Sequence, residues 1–226
     1  MAIADQVHPL NMSQFDTWVF DLDNTLYPAS SNLFSQIDRR MKTFISELLD
    51  LDLDTSFKLQ KKYYREHGTT LRGLMLNHDV DPDAFLDFVH DIDHTVLSPD
   101  PILGRALDGL PGQRLVYTNG SASHATSVLE ALDIIDRFEE IFDIRAGNYV
   151  PKPSPSSYQQ FLQRYSFDPN RAIMFEDSAI NLEPAADMGM VTVLVTDKSI
   201  PNPGPNLKHC HFITEDLKGW LAMQPR

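Results

Sequence analysis

The stretch TWVFDLDNTL, residues 17–26, contains a mostly apolar run that ends at two alternating carboxylates. Its first four residues are of the β-branched and aromatic types that fill a buried strand. Asp21 and Asp23 follow where that strand passes into a loop. In open α/β sheets, ligands bind outside the carboxyl ends of the strands. The stretch therefore predicts a buried first strand with two acidic side chains at the ligand-binding edge of a sheet.

Further apolar runs alternate with helical patterns in the second half of the chain. The predicted strands cover 115–117, 173–175 and 191–195, and the predicted helices cover 123–132 and 156–165. A last short strand is expected around Phe212, after a proline-rich surface connection at 201–205. Strands that alternate with helices indicate a parallel sheet covered on both faces. We therefore predict an α/β fold with a Rossmann-like, doubly wound parallel sheet.

Residues 30–96 break this alternation and contain helical patterns only. Apolar residues recur at helical spacing in the first part of the segment: Leu33, Phe34, Ile37, Met41, Phe44, Ile45 and Leu48. A second helix is predicted from about Thr55 to Gly68, and Asp81 before Pro82 is typical of a helix N-cap.

We predict that residues 1–29 and 97–226 form the α/β core and that residues 30–96 form an all-helical cap inserted after the first strand. Such an insertion either closes over the site as a lid or only enlarges the core. Its position favours the lid, because it leaves the core just beyond the carboxyl end of a strand.

Composition restricts the location of the protein and its partners. The 226-residue chain carries a net charge of -13, which disfavours broad contact with nucleic acid polymers or anionic membranes. No run approaches the roughly 20 apolar residues of a membrane helix, and we expect no secretory signal in the first ten residues, which lack a basic start and a long apolar stretch. The single cysteine, Cys210, excludes an intrachain disulfide. We expect a cytoplasmic protein whose partner is a small metabolite.

Three polar motifs follow the first pair of carboxylates in a fixed order. Thr118, Asn119 and Gly120 follow the second core strand, Lys152 lies between two prolines, and the pair 176–177 follows a later strand. Thr118 and backbone N–H groups near Asn119 can hold a phosphoryl oxygen. Lys152 can offset crowded negative charge, and Asp177 can complete an oxygen ligand set for Mg²⁺. Each motif meets a need of phosphoryl transfer.

The two carboxylates of the opening stretch can divide the work of phosphate ester hydrolysis. Asp21 can attack phosphorus in line, so that an acyl phosphate splits one difficult hydrolysis into two easier steps. Asp23 can protonate the leaving alcohol and then deprotonate the attacking water. Ordinary turn or capping chemistry at a strand end is the alternative for both residues.

The order of these motifs resembles that of the haloacid dehalogenase-like hydrolase superfamily, and the resemblance spans the whole chain. It implies that Asp21 is the nucleophile and Asp23 the acid/base. It also implies that magnesium is held by Asp21, by the backbone carbonyl of Asp23 and by Asp177. Whether Glu176 and Asn181 contribute to the metal site stays open.

An aspartate at position 23 indicates the phosphatases and mutases of this superfamily rather than the dehalogenases. Residues 68–74, GTTLRGL, resemble the pyrimidine 5'-nucleotidase-like branch, which implies a nucleoside 5'-monophosphate substrate. Thr69, Thr70 and Arg72 can bind a polar ring or a sugar hydroxyl. Helix capping with a surface arginine is an equal alternative.

Two other functions remain open from the sequence. The same core motifs suit a phosphatase or mutase acting on sugar phosphates or phosphoglycolate, and a non-catalytic phosphate-binding module is the alternative from another class. The histidines of the cap are expected to be exposed or satisfied within the core rather than catalytic: His67, His78, His90 and His94.

Overall fold

The computed structural model describes residues 10–197 and 206–223, and these contain one parallel sheet of six strands. The strands are β1 Thr17–Phe20, β2 Gln113–Tyr117, β3 Glu140–Phe142, β4 Ala172–Glu176, β5 Val191–Val195 and β6 Phe212–Thr214. Their spatial order is β3-β2-β1-β4-β5-β6. The predicted α/β fold with a doubly wound parallel sheet is confirmed.

The helices of the core cover both faces of this sheet. They are α5 Pro101–Asp108, α6 Ala122–Ala131, α7 Pro155–Tyr165, α8 Ala179–Asp187 and α9 Leu217–Met223. Trp18 and Phe20 of β1 pack on one face with residues of α5, α6 and α9. Val19 packs on the other face with residues of α7 and α8. All four residues of β1 are buried, because a central parallel strand is covered on both sides.

The strand order places the topological switch point beside β1. The chain runs from β1 outward through β2 to β3, then crosses back so that β4 pairs with the other side of β1. The loops that follow β1 and β4 therefore leave the sheet edge in opposite directions and open a crevice between them. Asp21 directly follows β1, and Asp177 directly follows β4.

Residues 30–96, all of which the structure describes, contain helices and irregular connections and no strand. The main helices are α1 Leu33–Leu49, α2 Leu53–His67, α3 Thr70–His78 and α4 Pro82–Val89. As predicted, Gly68 ends α2 and the side chain of Asp81 caps α4. These helices share a separate apolar cluster, which also includes Ile144 of the core. The helical segment thus has its own small apolar cluster, to which Ile144 contributes, while Leu33 of α1 packs in the main core cluster.

A polar contact joins the cap to the core beside Ile144. Arg145 Nε lies 2.6 Å from Asp83 Oδ1, and the Tyr149 hydroxyl donates to the same oxygen over 2.9 Å. Both partners of the ion pair are substantially exposed, so the pair itself contributes little free energy. Its value is geometric, because it fixes the side of α4 that faces the core.

The predicted bounds of strands and helices agree well with the observed ones where a continuous apolar run or helical spacing marks the element. Strands β1 and β5 have the predicted bounds, and α6 and α7 begin one residue earlier than predicted. Strand β3 was not predicted, because its three residues include an exposed glutamate and carry no alternation. The predicted connection at 201–205 lies outside the described residues. Among the described helices, none combines the length and apolar character needed to span a membrane.

Candidate active site

Asp21 lies at the centre of the sheet edge, where the buried strand β1 ends. Its backbone N–H donates to Phe175 O over 2.9 Å, which continues the pairing of β1 with β4 by one residue. Its Oδ1 accepts from Lys152 Nζ at 2.7 Å, and its Oδ2 accepts from the Thr25 hydroxyl at 3.0 Å. Asp21 is buried, so these contacts hold the carboxylate in one orientation.

Lys152 reaches the site from the loop before α7 and is itself buried. Its three N–H groups have three acceptors: Asp21 Oδ1 at 2.7 Å, Tyr117 O at 2.8 Å and Glu176 Oε2 at 2.6 Å. Burial alone would lower the pKa of Lys152, but the charges of Asp21 and Glu176 outweigh it and raise that pKa. Lys152 therefore stays protonated and balances part of the negative charge of the two carboxylates.

Both carboxylate oxygens of Glu176 accept hydrogen bonds from neighbouring side chains. Oε2 accepts from Lys152, and Oε1 accepts from Asn181 Nδ2 at 2.8 Å. The side-chain amide of Asn181 thus contacts Glu176. Glu176 therefore holds Lys152 in place, and Asn181 fixes the Glu176 carboxylate.

Three acidic side chains converge at the switch point. Asp21, Glu176 and Asp177 each place a carboxylate oxygen within 4.8 Å of the other two. Burial raises the pKa of Asp21 from its ordinary 3.8 to about 7, and the charge of Glu176 adds to the rise. Burial and the charges of Glu176 and Asp21 likewise raise the pKa of Asp177. A cation would relieve this crowding, and the donor set of carboxylate oxygens is the kind that Mg²⁺ prefers.

Thr118 and Asn119 follow β2, and their side chains have different tasks. The Thr118 hydroxyl accepts from Gly120 N over 2.9 Å, which leaves its own hydrogen available for a ligand. The Asn119 side-chain amide makes two hydrogen bonds to the backbone of Lys152. Its Nδ2 donates to Lys152 O over 3.2 Å, and its Oδ1 accepts from Lys152 N over 2.8 Å. Asn119 therefore positions the Lys152 loop, and its predicted contact with phosphate stays a prediction.

Asp23 lies two residues beyond Asp21, in a different environment. Its Oδ1 accepts from the Tyr27 hydroxyl at 2.5 Å and lies 2.8 Å from Nε2 of His124. Burial alone would raise the pKa of Asp23, but His124 and the hydrogen bond from Tyr27 outweigh it and lower that pKa. The two aspartates thus have pKa values shifted in opposite directions, as expected for groups with different roles.

Sequence reasoning did not identify Tyr27, His124 or Thr25. Tyr27 and Thr25 follow the acidic pair within four residues, and the turn after β1 brings their hydroxyls to Asp23 and Asp21. His124 lies in the first turn of α6, whose N-cap residue Ser121 closely follows Thr118. That position close to Thr118 and Asn119, the predicted phosphate-binding residues, could have indicated His124.

The cap reaches the site through the turn between α2 and α3. Gly68 has a positive φ of 82°, and a β-carbon there would lie 3.1 Å from Lys152 O. Thr69 Oγ1 accepts from Arg72 N over 3.1 Å, and the buried Thr70 donates to Gln60 O over 3.3 Å. Both threonine hydroxyls therefore hold the turn. The half-buried Arg72 guanidinium has no hydrogen-bond or ion-pair partner among the described residues.

A family model described as "haloacid dehalogenase-like hydrolase" matches residues 15–189. Phosphate metabolism protein 8 of Saccharomyces cerevisiae is 28% identical over 193 residues, which are 77% of this chain and 60% of that protein. The chain thus spans less than two thirds of that relative's length.

Solved structures share the fold at low sequence identity. The HAD-hydrolase YfnB of Bacillus subtilis, solved bound to magnesium, has a TM-score of 0.59 and 14% identity, covering 94% of this chain and 99% of that one. L-2-haloacid dehalogenase of Xanthobacter autotrophicus has a TM-score of 0.55 and 16% identity, with 92% and 98% covered.

Proposed function

The chain belongs to the haloacid dehalogenase-like hydrolase family, and we propose that it is a magnesium-dependent phosphatase acting on small phosphomonoesters through an aspartyl phosphate on Asp21. One observation carries this proposal. Asp21 is a buried carboxylate held at the sheet edge by Lys152, and a second carboxylate, Asp23, follows two residues later in an environment that shifts its pKa in the opposite direction. This is the pairing that a nucleophile and an acid/base require.

In the first half of the reaction, a carboxylate oxygen of Asp21 attacks phosphorus and the bond to the leaving alcohol breaks. The hydrogen bonds from Lys152 and Thr25 orient Asp21 for attack without a search through rotamers. Asp23 gives a proton to the leaving oxygen. Because the pKa of Asp23 is lowered, it must first receive that proton, and a phosphomonoester with a second pKa of about 6 can bring it.

In the second half, water attacks the phosphorus of the aspartyl phosphate and Asp21 leaves as a carboxylate. Asp23, which its lowered pKa keeps ionised after it has given up its proton, accepts the proton of the attacking water. The Thr118 hydroxyl and the nearby backbone N–H groups bind phosphoryl oxygens in both halves. Lys152 keeps the negative charge of Asp21 balanced when that carboxylate is free.

Magnesium would be held by the side chains of Asp21 and Asp177 and by the backbone carbonyl of Asp23. When bound, it offsets the negative charge of the phosphoryl group and of the carboxylates around it. Asp177 Oδ2 accepts from Asn24 Nδ2 over 3.3 Å, and this hydrogen bond orients the Asp177 carboxylate beside the other proposed ligands. Lys152 and Asn181 fix Glu176 next to these ligands.

For the substrate we propose a nucleoside 5'-monophosphate of the pyrimidine type. The support is the GTTLRGL turn of the cap, which approaches the Lys152 loop at Gly68 and carries Arg72. A half-buried guanidinium with no partner in the described chain is a suitable group for a carbonyl or sugar oxygen of the ligand. Thr69 and Thr70 act indirectly in this proposal, because their hydroxyls hold the turn that presents Arg72.

The test is a panel of phosphomonoesters assayed for phosphate release with Mg²⁺ and with EDTA. We expect turnover with Mg²⁺ only, and a higher kcat/KM for uridine and cytidine 5'-monophosphates than for adenosine 5'-monophosphate, phosphoglycolate and hexose phosphates. A preference for phosphoglycolate or a hexose phosphate would overturn the substrate but keep the reaction. Binding of phosphate without any turnover would overturn the reaction itself.

A further inference from the structure

A cluster of three histidines lies beside Asp23, at the boundary between cap and core. His124 of α6 belongs to the core and is buried, while His90 and His94 belong to the segment that returns from the cap. The rings of His90 and His124 are stacked, with centroids 4.5 Å apart and an interplanar angle of 4°. His94 Nε2 lies 3.3 Å from His124 Nδ1. No step of the proposed reaction takes place on these rings.

The contact between His124 and Asp23 has a definite direction. A carboxylate oxygen can only accept, so Nε2 of His124 carries hydrogen and donates to Asp23 Oδ1 over 2.8 Å. In the neutral ring, Nδ1 is then an acceptor, and Nε2 of His94 is placed to donate to it. The backbone of His124 is also fixed, because its N–H donates to the N-cap residue Ser121 over 3.3 Å. His124 therefore has one orientation and one hydrogen to offer.

Both hydrogen bonds to the Asp23 side chain end on the same oxygen. Tyr27 and His124 donate to Oδ1 from two different elements of the core. Oδ2 accepts from no group in the described part of the chain. An acid/base must present one free oxygen to the reacting atoms while the rest of the carboxyl group stays still. The two donors meet that need by fixing Oδ1 and leaving Oδ2 for proton transfer.

We propose that His124 is a positioning residue for the acid/base Asp23, acting together with Tyr27 to hold Oδ1 so that Oδ2 carries the proton. This inference rests on the proposed phosphatase reaction and extends it to a residue outside the sequence motifs. His90 and His94 support the ring of His124 from the cap side. Among the proposed metal ligands in the described residues, His124 contacts Asp23 alone.

Removing the donor should impair the steps that need Asp23 and spare those that do not. His124→Phe keeps an aromatic ring against His90 but cannot donate. We expect kcat/KM for the best alkyl phosphomonoester of the panel to fall about 10- to 100-fold, because a displaced general acid loses part of its usual contribution of about 10²–10⁴. For p-nitrophenyl phosphate, whose leaving group needs no protonation, kcat/KM should fall less than about 3-fold.

A second signature is a burst of p-nitrophenol in His124→Phe. The first half of the reaction stays fast with this substrate, whereas hydrolysis of the aspartyl phosphate still needs Asp23 as a base. The phosphoenzyme should therefore accumulate, and its formation should release one p-nitrophenol per site before the steady state. His124→Gln keeps an N–H at similar reach and should restore kcat/KM to within about 5-fold of the wild type. His78→Phe is the control, because His78 is a cap histidine hydrogen-bonded to Tyr63, and it should leave kcat/KM unchanged for both substrates.

A double-mutant cycle distinguishes positioning from a general structural effect. In an Asp23→Asn background, His124→Phe should cause no further loss of kcat/KM, since it acts only through Asp23. Equal losses for both substrates, additive losses in the cycle or an unchanged kcat/KM would overturn the inference while the wild-type activity stands. If His124→Phe does not fold, Tyr27→Phe removes the other donor and must show the same difference between substrates. A wild type that hydrolyses neither substrate overturns the proposed function and this inference together.

Discussion

The carboxyl edge of the sheet and the cap turn at residues 68–72 hold their polar side chains in different ways. At the sheet edge, Lys152 is buried and each of its N–H groups has an acceptor, and Glu176 accepts at both oxygens. In the cap turn, the hydroxyls of Thr69 and Thr70 form hydrogen bonds with backbone groups, and Arg72 has no partner among the residues that the structure describes. One region is an interlocked set of charges, and the other presents a single cation.

The difference indicates a division of labour. Interlocked buried charges are costly to rearrange, so the sheet edge keeps one geometry and is suited to one reaction. Arg72 has no partner in the part of the chain that the structure describes, so it can be exchanged with little effect on the fold, in line with its proposed role in selecting a substrate. Substitutions in the two regions should therefore fail in different ways.

The largest expected effect is that of Asp21→Asn at the sheet edge. The variant lacks a nucleophile, so Mg²⁺-dependent phosphate release should fall by roughly 10⁴-fold or more, as in other enzymes that lose a covalent nucleophile. The measurement is steady-state turnover with the best substrate of the panel. Asp16→Asn, at the opposite end of β1, is the matched control and should keep full activity, because it removes only an exposed ion pair with Arg171. Normal turnover in Asp21→Asn would contradict the mechanism.

Lys152→Met should reduce stability as well as activity. It leaves Asp21 and Glu176 buried without their cation, so the free energy of unfolding should drop by about 3–5 kcal/mol in urea titrations. Adding Glu176→Gln removes one of the uncompensated charges and should recover part of that stability, but no turnover. The same urea midpoint of unfolding for Lys152→Met and the wild type would contradict the interlocked arrangement of charges at the sheet edge.

The response to magnesium should depend on pH in a defined direction. The pKa of Asp21 is raised from 3.8 to about 7, so the folded protein keeps a proton that the unfolded chain has lost between these values. Without metal, stability contributed by this group therefore falls as pH rises through that window. A cation competes with the proton, so the increase in Tm on adding Mg²⁺ should be larger at pH 8 than at pH 5.5. The same increase at both values would show that the carboxylates are ionised throughout.

The smallest effect is expected in the cap turn. Arg72→Ala should raise KM for the nucleotide about 10- to 100-fold and leave kcat for p-nitrophenyl phosphate unchanged, because one charge-assisted hydrogen bond is worth about 1.5–3 kcal/mol. The free energy of unfolding should change by less than about 0.5 kcal/mol. Arg65→Ala, at an exposed position in the last turn of α2, is the control and should leave KM unchanged. Equal losses for both substrates would assign Arg72 to the reaction rather than to selection.

The sequence by itself predicted the elements and motifs that rest on local pattern. Strand β1 and the acidic pair after it were predicted because an apolar run must be buried and a carboxylate at its end must reach the sheet edge. The helical content of residues 30–96 followed from apolar spacing, and the N-cap at Asp81 followed from its neighbouring proline. The family followed from the order of Asp21, Thr118, Lys152 and Asp177.

Only the tertiary structure decided which side chains meet. His124 and Asp23 are 101 residues apart, and Asn119 meets Lys152 across 33 residues, so neither contact has a local signature. The strand order brings these pairs together, because β4 returns beside β1 and the loops after β1, β2 and β4 then share one edge. Local sequence restricts each segment to a conformation, whereas the orientation of Asp23 and the charge balance at Asp21 depend on burial that several segments create together.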